Sequence, residues 1–198
     1  TLANLPDTAD FALVELDSQR PGEMARLSAL ARPDVALALS VGNMLSDRFD
    51  GVSHVAQEIA ACFEGLEPGG TALFNGDSEG AKTLAEAAAR HGSRSFSATQ
   101  GADIVLRHAA LVGGATVAQV ELAGEHHLIR LDTLGQHFAM NAAAVLGAVA
   151  ALGADVTLAA RDLSLWEPPE GRGTQEVIWL DPVEEDSLTL INDAMNAI

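Results

Sequence analysis

Polar side chains stand at the ends of two apolar runs in the first half of the sequence. Glu15 lies near the end of the run FALVEL, and Asn75-Gly76-Asp77 follows the run Thr71–Phe74. In open parallel sheets, ligands bind in the crevice at the carboxyl ends of the strands. A carboxylate there suits Mg²⁺ held against a nucleotide phosphate, because that ion prefers carboxylate, water and phosphate oxygens. Glu15 is therefore a candidate metal ligand and Asn75 a candidate ligand contact, although a solvated acid and an ordinary turn explain the same residues.

A histidine and an asparagine stand four residues apart at the start of a long alanine-rich segment. The segment begins GQHFAMN, so that a helix would place His137 and Asn141 on one face. An asparagine amide both donates and accepts hydrogen bonds, which matches the neighbouring donor and acceptor on an adenine edge. The alternative is a capping and packing role for both residues. A metal site is the weaker interpretation, because no third ligand is near in the sequence.

Two further charged candidates lie in the last 30 residues. Arg172 stands between two glycines, which would let the backbone approach a phosphate while the planar guanidinium binds it. Asp193 follows the last apolar run, where a carboxylate could accept hydrogen bonds from ribose hydroxyls. Taken alone, an ordinary exposed arginine and a turn are the commoner explanations of these two residues.

The elements that would position these residues alternate in the first half of the chain. Buried strands are predicted at residues 11–16, 35–41 and 71–74, and helices at about 22–31, 52–66 and 81–91. Such alternation predicts a parallel sheet covered by helices.

The second half has a different pattern. Strands are predicted at 104–108, 115–122 and 127–131, and the last two form a hairpin around Ala123-Gly124-Glu125. Helices at 135–152 and 156–165 precede a Pro-rich linker and two further strands at 176–180 and 188–192. The fold class is therefore α/β, a mainly parallel sheet flanked by helices with a small antiparallel β subsheet. We expect His126 and His127 to lie at the surface, because neighbours in a strand point to opposite faces.

Composition excludes several classes of protein. The formal net charge of -17 argues against general nucleic-acid binding, because an acidic surface repels phosphates on average. No apolar run is long enough for a membrane span, and no export signal opens the chain. The single cysteine, Cys62, excludes an internal disulfide and fits a reducing compartment. We therefore expect a cytoplasmic protein that inserts into no membrane.

Three stretches, taken in order, resemble the Mur ligases, which are ATP-dependent enzymes of peptidoglycan synthesis. They are FALVELDSQRPGEMARLSALARPDVALALSVG, LGQHFAMNAAAVLGAVAALG, and GRG followed by LTLINDAMNA. Within the family, the resemblance is greatest to the branch that adds D-alanyl-D-alanine to a UDP-muramyl tripeptide. It implies ATP and Mg²⁺ as cofactors and these two small molecules as substrates. ATP would phosphorylate the tripeptide carboxylate, and the amine of D-alanyl-D-alanine would displace the phosphate.

The resemblance also implies roles for single residues. Glu15 matches the Mg²⁺-binding acid of the family, and Asn141 matches its adenine-contacting asparagine, with His137 opening that motif. Arg172 matches the arginine that reaches an ATP phosphate, and Asp193 matches the acid near the ribose. Asn75 matches an asparagine at a strand end, whose role is left open. No catalytic residue is assigned.

The chain departs from the family pattern at several positions that carry chemistry. Leu45 stands at about the position of a Mg²⁺-binding histidine, and Ile59 near that of a lysine that is carbamylated in the family. Phe138 replaces the asparagine that follows the motif histidine. An alternative interpretation follows, in which the protein is a non-catalytic relative that binds a nucleotide or a partner.

The resemblance implies two domains. Residues 1–166 correspond to the central ATP-binding domain without its phosphate loop, and residues 167–198 to a linker and the start of a Rossmann-like C-terminal domain. We therefore expect the chain to be part of a longer protein, whose further N- and C-terminal parts are its partners. On this interpretation the isolated piece is inactive.

Overall fold

A six-stranded sheet forms the centre of the computed structural model, which describes residues 5–42, 49–169, 171, 174–181 and 186–192. Its strands lie in chain order, and the first four are parallel. The last two form an antiparallel meander with the fourth. The strands are β1 (Val35–Ala38), β2 (Thr71–Asn75), β3 (Gly92–Ser97), β4 (Ile104–Val112), β5 (Ala115–Leu122) and β6 (Glu125–Leu131).

Helices cover the sheet on both faces and create two separate apolar cores. The helices are α1 (Glu23–Ala31), α2 (Val52–Ala60), α3 (Ala81–Ala88), α4 (Gln136–Ala151) and α5 (Val156–Asp162), with short 3-10 helices at Ala61–Phe63 and Leu163–Leu165. One core joins α4 and α5 to Leu73 and Phe96 of the sheet. The other joins α1, α2 and α3 to Phe74 on the opposite face. Alternate residues of a strand point to opposite faces, which is why neighbouring Leu73 and Phe74 belong to different cores.

The mixed α/β class and the antiparallel subsheet are confirmed. The predicted hairpin turns at Ala123 and Gly124, both of which have positive φ angles (53° and 83°) that suit a two-residue hairpin turn. A second, two-stranded antiparallel sheet follows the linker and consists of β7 (Thr174–Asp181) and β8 (Asp186–Asn192). Within the described residues, no helix combines the length and apolar character needed to cross a membrane.

Two expectations from the sequence need correction, and one strand was missed. The run Phe11–Leu16 is not a strand: its backbone pairs with no strand of the described part, and Leu13 is 99% exposed. Apolar composition predicts burial, but a strand also needs a neighbouring strand for its hydrogen bonds.

β3 was not predicted, since GSRSFS has few of the β-branched residues that mark strands. His127 is buried rather than at the surface, because it shares the inward face of β6 with Ile129, whereas His126 is exposed.

Candidate functional site

The sheet topology brings the start of α4 to the same end of the molecule as the carboxyl ends of the parallel strands. β5 runs antiparallel to β4, and β6 runs antiparallel to β5, so β6 points in the same direction as β1 to β4. The chain leaves β6 at Leu131 and enters α4 at Gln136. His137 and Asn141 therefore lie beyond the carboxyl ends of the parallel strands, on the side of the sheet where Asn75 closes β2.

The antiparallel strands extend well beyond the parallel ones at this end. β3 pairs with β4 only at Ile104 and Val105, and β4 then continues to Val112. Those further residues, Leu106–Val112, extend about 20 Å at the usual rise of a strand. Helix α4 returns along this extension, and its Gly147 lies against Ile104 and Leu73. The extension and the first half of α4 thus form a wall beside the carboxyl ends of β1 to β3.

A buried hydroxyl sets the entry into α4. Thr116 is fully buried on β5, its Oγ1 donates to the carbonyl oxygen of Thr133 at 2.7 Å, and it accepts from the backbone N–H of Gly135 at 3.1 Å. Gly135 has a φ of 153°, which side chains rarely adopt, and the His137 ring lies close to its backbone. The loop thus brings the histidine ring near the backbone that precedes the helix.

His137 and Asn141 are both exposed on the first two turns of α4, which confirms that they share a face of a helix. Phe138, three residues before Asn141 on the same helix, is half-buried against the α4 core. Two open polar side chains therefore border an aromatic ring at the start of this helix. Contact of either residue with a nucleotide stays a prediction.

Asn75 connects the end of β2 to the residue that follows β1. Its Nδ2 donates to the carbonyl oxygen of Leu39 at 2.9 Å, and its Oδ1 accepts from the backbone N–H of Asp77 at 2.9 Å. Both polar atoms of the amide thus have protein partners. This geometry favours the turn interpretation of Asn75, because a ligand contact would have to share atoms that are already engaged.

Asp77 makes a similar connection to the end of β3. Its carboxylate accepts hydrogen bonds from the Ser97 hydroxyl at 2.5 Å, the backbone N–H of Ala98 at 2.6 Å and the Thr99 hydroxyl at 3.3 Å. Burial by itself raises the pKa of Asp77, but these donors outweigh it and the pKa lies below its ordinary value. The carboxylate is thus fixed in its charged form as a structural acceptor.

Glu15 lies in a different setting from the one that the sequence predicts. It is exposed on an extended segment without strand pairing, so it does not stand at the carboxyl end of a strand. The neighbouring Leu16 packs against the core formed by α1, α2 and α3. The segment is therefore attached to the helices on one face of the sheet. A metal role for Glu15 stays a prediction.

Glu58 of α2 anchors the chain just after this segment. Its Oε1 accepts from the Ser18 hydroxyl at 2.6 Å and from the backbone N–H of Met24 at 2.8 Å, and its Oε2 accepts from the N–H of Gly22 at 2.7 Å. The two N–H groups lie at the start of α1, where they have no partner within the helix. A negative charge there also interacts favourably with the positive end of the helix dipole. Glu58 was not predicted from the sequence. The signal that could have identified it is a charged residue inside the apolar stripe of α2.

We expect Glu58→Gln to lower the free energy of unfolding by about 2 kcal/mol at pH 7, because an amide leaves one buried N–H without an acceptor. Burial alone raises the pKa of Glu58, but the hydrogen bonds that its carboxylate accepts lower it overall. A lowered folded-state pKa contributes stability above the unfolded value of about 4.5, and this contribution is lost as the pH falls through the folded-state pKa. Urea denaturation at pH 7 and at pH 3 measures both effects. The exposed Glu64→Gln is the control, and an equal loss at both pH values would contradict the carboxylate's role.

Several positions that the sequence singles out lie outside the described residues. They are Arg172, Asp193 and Leu45. Ile59, by contrast, is described, and its side chain packs against the apolar core beneath α2. The position at which the resemblance implies a carbamylated lysine is therefore part of the hydrophobic packing.

Among the described residues, the acids fit a Mg²⁺ site in which other molecules supply most of the ligands. No group of three or more His, Cys, Asp or Glu side chains could hold a metal in the described part of the chain. Mg²⁺ is commonly bound by one or two carboxylates together with phosphate oxygens and water. A single exposed acid such as Glu15 fits that kind of site, in which the phosphates supply most of the ligands.

Comparison with known proteins identifies the family from the sequence and finds the same fold among solved structures. The Mur ligase middle domain matches residues 1–149. A UDP-N-acetylmuramoyl-tripeptide–D-alanyl-D-alanine ligase of Bacillus subtilis is 26% identical over 198 residues, which is 100% of this chain and 40% of the relative. The chain thus spans less than half the length of this relative.

Two solved structures share the fold. A crystal structure of MurF from Acinetobacter baumannii superposes with a TM-score of 0.86 at 23% identity, over 97% of this chain and 40% of that one. A MurF ligase from Thermotoga maritima in complex with ADP has a TM-score of 0.70 at 24% identity, over 80% of this chain and 36% of that one. With the match to the middle domain over most of its length, the chain belongs to the Mur ligase family.

Proposed function

We propose that this chain is the ATP-binding middle part of a ligase that adds D-alanyl-D-alanine to a UDP-N-acetylmuramoyl tripeptide. Members of the family are ATP-dependent ligases. The observation that carries the proposal is the alignment of the entire chain with a curated ligase of this specificity. The described geometry supports it, because the wall formed by β4 to β6 and α4 presents His137 and Asn141 at the carboxyl side of the parallel strands.

The proposed reaction has two steps. The tripeptide carboxylate attacks the γ-phosphorus of ATP, so that ADP leaves and an acyl phosphate forms. The amine of D-alanyl-D-alanine then attacks the acyl carbon, the new C–N bond forms, and inorganic phosphate leaves while the amine loses a proton. Mg²⁺, when bound, neutralises charge on the phosphates. In this chain Glu15 would hold it, Asn141 would bind the adenine edge, and His137 would border that site. Arg172 and Asp193 would contact a phosphate and the ribose.

Turnover by the full-length protein tests the proposal. Phosphate release is measured with UDP-N-acetylmuramoyl tripeptide, D-alanyl-D-alanine, ATP and Mg²⁺, and with each component left out in turn. We expect release only when all four are present. Release that does not depend on the dipeptide would contradict the proposed specificity, and no release with any acceptor amine would contradict a ligase.

A second candidate function is favoured by Ile59. This apolar residue stands where the resemblance implies a carbamylated lysine, and it packs against the core. In addition, a triphosphate near many acids needs cations to bind well. The chain has a single lysine, Lys82, which is exposed. A non-catalytic relative that binds a nucleotide without turnover would account for both observations. Saturable nucleotide binding with no phosphate release distinguishes it from the ligase.

Asn141→Ala tests the proposed adenine contact. We expect ATP to bind about tenfold more weakly, because one donor and one acceptor to the base edge are lost. GTP, whose edge has a different pattern, should lose much less affinity, so the preference for ATP over GTP falls. Isothermal titration with both nucleotides measures this preference. Equal losses for ATP and GTP would point to packing, and Gln136→Ala, also exposed on the first turn of α4, serves as the control.

A further inference from the structure

Three aromatic rings lie in a row where α4 begins. The ring centroids of His137 and Phe138 are 4.0 Å apart, with planes inclined by 41°. Phe138 and Trp166 follow at 5.5 Å with an angle of 51°. These separations lie in or just below the usual range for tilted aromatic pairs. We call His137, Phe138 and Trp166 the aromatic row; its residues come from the start of α4 and from the chain after α5.

The position of Trp166 is set by the backbone. It follows the 3-10 helix Leu163–Leu165, and its N–H donates to the carbonyl oxygen of Leu163 at 3.2 Å before the chain becomes extended. Trp166 is 37% exposed, although its ring packs against the half-buried Phe138. Part of a large aromatic surface therefore stays open to solvent beside a ring that is anchored in the core.

The row adjoins the polar residues of the same helix. Phe138 and Asn141 are three residues apart on α4, and His137 and Asn141 are four apart, so all three are neighbours on the helix surface. A flat heteroaromatic base is recognised by two kinds of contact, a π surface for its face and an amide for its edge. Both kinds of group are present here within one patch.

Charge makes an uncharged contact important in this chain. A net charge of -17 repels a triphosphate at long range, and stacking on an aromatic ring does not depend on the charge of the nucleotide. Stacking would therefore supply affinity that the electrostatics of this surface oppose.

We propose that Trp166, supported by Phe138, stacks on the adenine base of ATP while Asn141 binds the edge of that base. This inference rests on the proposed ATP-binding function and adds a base-binding residue to it. Trp166 is accordingly a substrate-binding residue that acts on affinity and base choice.

Titration of the full-length protein with ATP and with inorganic tripolyphosphate tests the stacking. Trp166→Leu keeps apolar bulk against Phe138 but removes the indole surface, and we expect ATP to bind about tenfold to hundredfold more weakly. Tripolyphosphate has no base, so its affinity should stay within about twofold. Trp166→Phe should restore ATP binding to within about threefold of wild type. The control is Trp179→Leu, which changes the exposed tryptophan of β7 and should leave both ligands unaffected.

The outcomes separate this inference from the function on which it rests. If wild type binds ATP and Trp166→Leu binds it equally well, the stacking is wrong while the proposed function stands. If Trp166→Leu weakens ATP and tripolyphosphate alike, the residue is structural and the inference is overturned. If wild type binds no ATP, both fail together. Quenching of indole emission by ATP that disappears in Trp166→Phe but persists in Trp179→Phe would be independent support.

Discussion

Gly65→Ala should lower the free energy of unfolding by at least about 3 kcal/mol, a loss of about 6 to 12 °C in Tm. A Cβ at this position would lie 2.2 Å from the carbonyl carbon and oxygen of Ser28 in α1. Backbone atoms in a packed helix cannot move aside as a flexible side chain can. The fully buried Ser28 also joins the two segments, since its Oγ donates to the Cys62 carbonyl oxygen at 2.5 Å and accepts from the Gly65 N–H at 3.0 Å.

Thermal and urea unfolding followed by circular dichroism measure this loss. Gly42→Ala is the matched control, because a Cβ there meets no described atom within 4 Å, and its effect should stay below about 1 kcal/mol. Similar stability for the two variants would mean that α1 does not pack on the turn at Gly65 as described.

Glu15→Ala should lower kcat/KM of the full-length protein in the proposed ligase reaction by about a hundredfold, which corresponds to about 2.7 kcal/mol of transition-state stabilisation. The reason is the proposed contact of this carboxylate with Mg²⁺ at the nucleotide phosphates. Part of the loss should be recovered at higher Mg²⁺ concentration, because a weakened site is refilled by mass action. Steady-state kinetics over a series of Mg²⁺ concentrations measure both effects.

Asp10→Ala is the control for this experiment. Asp10 is an exposed carboxylate on the same extended segment, so its removal changes the net charge equally without touching the proposed site. Kinetics of Glu15→Ala that match those of Asp10→Ala would remove Glu15 from the metal site. A loss that does not respond to Mg²⁺ would assign it a role other than metal binding.

Local patterns in the sequence were sufficient for most elements. The helical period of α2, the long alanine-rich α4 and the Ala123-Gly124 turn are each specified by residues within a few positions, so their types were predictable. β3 escaped prediction because its stability comes from pairing between β2 and β4, and its own residues carry little strand preference.

The candidate site divides in the same way. A spacing of four residues was enough to place His137 and Asn141 on one helical face, since helix geometry alone determines it. The sequence could not reveal that the Asn75 amide binds the carbonyl oxygen of Leu39 after β1, nor that Glu58 binds the start of α1 from 34 to 36 residues away.

The sequence by itself therefore determined the class of fold, the order of its elements and the family resemblance, because these depend on short-range periodicity and on motifs. Only the tertiary structure decided the rest. It left Phe11–Leu16 without a strand partner, buried His127, and brought Trp166 against Phe138. Burial, strand pairing and ring contacts arise between segments far apart in the chain, and their energies depend on which surfaces meet, which a local pattern does not specify.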